Sequence, residues 1–129
     1  MNAPAALTAT TDLDDVLDDL TGLDWIPGIS SILTGIREAQ TAIRAGRLNL
    51  DATQTLIATT AGSAGADLVT ALAQLVATAT NPDTNPALRH LPLHQQKDTQ
   101  HHGEITLYAL TDTDVHQPAS EASAAISSH

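Results

Sequence analysis

Apolar residues recur along this chain at intervals of three and four, and the longest block with that rhythm is Ala52 to Thr80. Wound at 3.6 residues per turn, it gathers Ile57, Ala61, Ala64, Gly65, Leu68, Leu72, Leu75, Val76 and Ala79 on one face. The opposite face collects Thr59, Thr60, Ser63, Asp67, Thr70, Gln74 and Thr78. A two-residue strand period sorts none of these positions, so the spacing predicts one long amphipathic helix.

Two shorter blocks precede it. Leu13, Val16, Leu17, Leu20 and Leu23 form the apolar stripe of a first helix from Asp12 to about Leu23, with Asp12, Asp14, Asp15, Asp18 and Asp19 behind it. Thr11 is its expected N-cap. The cluster Gly22, Asp24, Trp25, Ile26, Pro27 and Gly28 then breaks the pattern, and Trp25 is expected to plug the corner. A second helix follows from Gly28 to Ala45, with Ile29, Ile32, Leu33, Ile36, Ala39 and Ile43 on one face and Gly46 as its stop. The short connection 46–51, with Asn49 or Asp51 as cap, predicts that the second and long helices are antiparallel neighbours.

After Thr80 the rhythm fades. Asn81-Pro82-Asp83-Thr84-Asn85-Pro86 is a helix breaker, and 87–103 is rich in polar residues and histidine. Glu104 to Leu110 is the one strand-like piece, and 112–129 reads as a mobile tail of Asp, Ser, Ala and Pro. The expected fold class is therefore all-α: a short acidic helix plus an antiparallel hairpin containing one long helix, then a largely irregular tail. The corresponding division is a disordered 1–10, a helical domain over 11–80 and a flexible tail over 81–129.

Composition narrows the function classes. The chain has 129 residues, no Cys, no Phe, one Trp and one Tyr, so its core must be small and aliphatic, and thiolate chemistry is ruled out. A formal charge of −10 disfavours direct contact with nucleic acid or anionic membranes and favours basic protein partners. Met1 to Thr10 lacks the basic and apolar segments of a signal peptide, and no run is apolar enough to span a membrane. A cytoplasmic location is the expectation.

Four groups of residues invite a chemical reading. Ala58, Gly62 and Leu68 have the offsets of a helix-turn-helix, but the apolar phase runs through Gly62 and Gly65, and Ala64 to Ala73 holds no Arg or Lys to meet phosphate. The bland alternative, small residues that let another helix approach, is preferred. His90, His94, His101, His102 and His116, with Glu104 near, form a candidate metal set. Pro92 interrupts the His90–His94 helical spacing, so solvated histidines are expected and no metal is assigned. The acidic helix suits docking into a basic-rimmed groove or simple solvation, and its aspartates lack the Gly and the closing Glu of an EF-hand. Tyr108 and Asp112 form a Tyr-x-x-x-Asp that loosely resembles the small helical-hairpin substrates of type VII secretion. Those proteins carry Trp-x-Gly in the hairpin turn, whereas Trp25 is followed by Ile26-Pro27-Gly28 and lies one helix too early, so no family is assigned.

No nucleophile is placed beside a base by any motif, and no cofactor is expected. The sequence favours a non-enzymatic protein–protein interaction module that self-associates through Leu68, Leu72, Leu75 and Val76, with Leu13, Val16, Leu17 and Leu20 for packing or docking. An acidic regulator that binds a basic or DNA-binding protein through Asp14, Asp15, Asp18 and Asp19 is the second reading. A metal binder or small enzyme using the histidines is the third. At about 1.5 Å per residue the long helix would span roughly 44 Å, against about 27 Å for the second. Its C-terminal third would need a cover.

Overall fold

The computed structural model describes residues 3–127, with side chains from residue 12 onward. Among the described residues all regular structure is helical: α1 (Ala3–Thr21), α2 (Ile29–Arg44), α3 (Leu50–Ala61), α4 (Leu68–Ala79), a 3-10 turn (Pro86–His90), α5 (Leu93–Leu110) and α6 (Thr113–Ser127). They fall into two compact units, residues 1–48 and 49–129. Residue 80, where the sequence suggests that the helical domain ends, lies inside the second. No helix among the described residues is long and apolar enough to cross a membrane.

The first unit is the hairpin of α1 and α2. Helix α1 starts well before the expected Asp12, while α2 has nearly the expected bounds. Gly28 enters α2 at φ +90°, a left-handed conformation that costs glycine little and other residues more. The helices are antiparallel and are laced along one edge. Gln40 Nε2 and the Arg44 guanidinium donate to the two Asp14 oxygens at 3.0 Å each, and the Arg37 guanidinium donates to Thr21 Oγ1 at 3.1 Å and lies 3.5 Å from Asp18. Among the described side chains of this unit, Leu17 and Leu33 are the buried apolar ones. Trp25 does not plug the corner: it is 75% exposed in the turn. Pro27 and Gly28 lead the chain directly into α2, and the indole stays in solvent.

The second unit overturns two expectations. The long helix 52–80 is instead two helices, α3 and α4, separated by 62–67. Gly65 adopts φ +87°, which an α-helix cannot contain, and Asp67 has extended backbone and acts as the N-cap of α4. The Asp67 carboxylate accepts from the backbone N–H groups of Ser63 and Thr70, replacing the helical bonds that the break forfeits. Six intervening residues happen to keep the apolar phase, so the pattern reads straight through a bend. Asn49 caps α3 as expected, accepting from the Ala52 N–H at 2.8 Å.

The second correction concerns residues 81–129, expected to be an irregular tail with a strand at Glu104–Leu110. They form the 3-10 turn, α5 and α6, and no strand is present among the described residues. Asn85 caps the 3-10 turn, and Pro92 occupies the N-cap of α5, where its missing N–H costs nothing. Helix α6 lies antiparallel against α3: the Ser123 hydroxyl donates to the Gln54 carbonyl at 3.2 Å, and Ser127 accepts from the Gln54 amide. Helix α5 packs on α4, with buried Gly103 at the end of α4 beside Thr80.

Candidate interaction surface

The interior of the second unit is small and polar, and this decides where its large apolar residues go. Helix α4 turns Thr70 and Ala73 inward, both buried. Ala77 and Thr80, on the same face by helical spacing, are half-buried. Close approach of α5 at Gly103 leaves no room for leucine there. A Cβ on Gly103 would lie 1.7 Å from Thr80 Oγ1. Leu68, Leu72, Leu75 and Val76 are therefore exposed, Leu75 to 54%. The face expected to be the core is outside, and Asp67 and Thr70, expected on the solvent face, are inside.

Asp67 sits at the centre of that interior. Its Oδ1 accepts from the Thr70 N–H at 2.9 Å and the Thr70 hydroxyl at 2.8 Å; its Oδ2 accepts from the Ser63 N–H at 2.9 Å and His116 Nδ1 at 2.5 Å. The other ring nitrogen of His116 donates to the Leu110 carbonyl at 2.6 Å. Both acceptors lack protons, so the ring carries two N–H groups and is an imidazolium. Burial alone would raise the Asp67 pKa, but the four hydrogen bonds outweigh it and lower the value to about 2. The Leu110 carbonyl, opposed by burial and reinforced by Asp67, raises that of His116.

This pair is a structural clasp between the α3–α4 bend and α6. His116 is 2% exposed and neither nitrogen has a free lone pair, so it offers no base to a substrate. No buried polar side-chain atom among the described residues lacks a partner. The spacing Asp67-x-x-Thr70 behind Gly62 and Gly65 was the available signal for the bend; nothing local in the sequence joins Asp67 to His116.

The other histidines do not converge. His90 ends the 3-10 turn, and His94, His101 and His102 lie along α5, where His102 is 3.6 Å from Asp98. No group of three or more His, Asp or Glu among the described residues is placed to hold a metal ion. Tyr108 is exposed on α5, and Asp112 begins the next turn, accepting from the Asp114 N–H.

In the first unit, Leu17 belongs to the packing, at 1% exposure, while Leu13, Val16 and Leu20 are exposed. The acidic residues also divide. Asp14 and Asp18 are engaged by Arg44 and Arg37, and the Arg44 and Gln40 bonds hold the Asp14 pKa below its ordinary value. Asp15 and Asp19 are exposed and, among the described residues, face no cation. The bend that a helix-turn-helix needs does exist between α3 and α4, yet α4 carries no Arg or Lys. No protein-family model, curated protein or solved structure matches this chain.

Proposed function

We propose that this protein is a non-enzymatic interaction module that self-associates through the outer face of α4. One observation carries the reading: α4 buries its threonine and alanine side and leaves Leu68, Leu72, Leu75 and Val76 in solvent. An aligned apolar stripe of this kind is stabilised when another surface removes it from water, at roughly 25 cal/mol per Å². Electrostatics favours a second copy as that surface. Two chains of charge −10 repel each other over most approaches. Helix α4, Leu68 to Ala79, contains no ionisable residue, so two copies meeting there bring no like charges into contact.

Size-exclusion chromatography with light scattering tests the proposal. The wild-type chain is expected to elute above its 13.4 kDa monomer mass at high concentration. Leu72→Ser/Leu75→Ser is expected to return it to that mass with unchanged far-UV circular dichroism, because both side chains are exposed in the single chain. A wild-type monomer at all concentrations, or an oligomer indifferent to the double substitution, overturns it.

A further inference from the structure

The α1–α2 hairpin holds a second uncovered apolar face, and its charges indicate what fits there. Leu13, Val16 and Leu20 recur at three and four residues along α1; Ile32, Ile36 and Ile43 recur at four and seven on α2, and all six are exposed. Their placement follows from the contacts already described. On α1 the residues turned toward α2 are Asp14, Leu17, Asp18 and Thr21, which puts Leu13 and Leu20 about a quarter turn to one side and Val16 further round on that side. On α2 those turned toward α1 are Leu33, Arg37, Gln40 and Arg44, and the isoleucines lie about a quarter turn away. Because the helices are antiparallel, these two offsets bring both stripes onto the same side of the hairpin. The buried Leu17 and Leu33 lie beneath a face of six exposed apolar residues, two Leu, one Val and three Ile.

The edges of that face differ. Asp12, Asp15 and Asp19 each precede one residue of the α1 stripe, so they form a parallel acidic row about 100° round the helix from it, on the flank of α1 turned away from α2, and all three are exposed. Two of the hairpin's own cations are committed elsewhere: Arg37 and Arg44 pair with Asp18 and Asp14 on the α2-facing side of α1. The far border on α2, with Gly35 and Ala39, is small and uncharged.

We infer that this face is a docking site for a basic amphipathic helix of a partner protein. Leucine or isoleucine in such a helix would cover the six apolar residues, and Lys or Arg on one flank would meet Asp12, Asp15 and Asp19. A second copy of this chain is a poor occupant, because it would bring its own acidic row to the same contact. The site is independent of the α4 contact and extends the interaction reading to a different partner class.

The test uses the intact protein and a designed helical peptide of about 18 residues, with Leu at three- and four-residue spacing and one flank of Lys. The peptide contains no Trp, and Trp25, exposed in the adjacent turn and the only Trp of the chain, reports binding by its fluorescence. Saturable binding is expected, weakened roughly tenfold by Asp12→Asn/Asp15→Asn/Asp19→Asn at low salt. Val16→Ser/Leu20→Ser is expected to abolish it, and Leu72→Ser/Leu75→Ser to leave it unchanged, so failure here is separable from failure of self-association through α4. Equal binding of the same peptide with Glu in place of Lys overturns the proposal, as does an affinity unmoved by the triple Asp→Asn change. So does an oligomer dispersed by Val16→Ser/Leu20→Ser, which makes a second copy the occupant. The Asp→Asn comparison stands even where the serine variant fails to fold, since the three aspartates have no partner among the described residues.

Discussion

Asp67 does three things with one carboxylate: it caps α4, braces the bend through Ser63 and receives the proton-rich face of His116. The pH dependence follows from the two shifts. Asp67 has a lower pKa folded, about 2, than its ordinary 3.8, so its contribution is present above 3.8 and is lost as pH falls toward 2. His116 has a raised pKa folded, so its contribution is complete below the ordinary 6.5 and is lost as pH rises through the folded value. Deprotonation leaves one ring lone pair facing a carboxylate or a carbonyl oxygen. The urea midpoint of the wild-type chain is expected to hold between about pH 4 and 6.5 and to decline as pH rises above 6.5 through the folded value of His116. His116→Gln should lower the midpoint on the plateau and remove that decline. A variant whose midpoint still falls with the wild-type slope above pH 6.5 would show that another group governs the transition.

At the scale of elements, the contact of α4 with α5 depends on one missing Cβ. Gly103→Ala would set a methyl 1.7 Å from Thr80 Oγ1 and 2.6 Å from Thr80 Cβ. Overpacking of this kind costs about 1–3 kcal/mol, because one helix must move. Thr80→Ala relieves the hydroxyl and leaves the Cβ conflict, so Thr80→Gly should restore Gly103→Ala better than Thr80→Ala does. Denaturant unfolding of the five proteins (wild type, Gly103→Ala, Thr80→Gly and the two double variants) checks that order. If Thr80→Ala rescues fully, the clash lies at the hydroxyl alone.

The same contact explains what the sequence could and could not disclose. Helix α2, the Asn49 cap and the break after Thr80 follow from local signals, and the structure has each of them. Helices α5 and α6 were illegible because their inward residues are mostly polar or small. On α6 these are His116, Ala119, Ser123 and Ile126, spaced by three and four, while on α5 they include Gln96, Gln100, Gly103 and Leu107. A hydrophobic period has little to register in such helices, and Pro118 inside α6 reinforced the reading of a tail. On α4 the rule that apolar residues go inside gives the reverse of the observed face, since close helix approach admits Thr and Ala but not Leu. Position-by-position spacing was informative; the assignment of inside and outside needed the partner helix.

For the molecule as a whole, the two proposed faces should respond to salt with opposite sign. Self-association through α4 brings together two bodies of charge −10 at a neutral patch, so the unfavourable term is long-range repulsion rather than a contact. Raising ionic strength from about 0.01 M to 0.15 M shortens the screening length from about 30 Å to about 8 Å. The repulsion fades while the apolar gain persists, and the dimer dissociation constant should fall. Docking of a basic helix on the α1–α2 face uses attraction to Asp12, Asp15 and Asp19, and its dissociation constant should rise over the same range. Sedimentation equilibrium for the first and Trp25 fluorescence for the second, on one preparation, measure both slopes. Two slopes of the same sign would overturn the charge argument for one of the two faces. Opposite slopes would mean that a rise in salt favours copies of this chain over its basic partner, with no change in the fold.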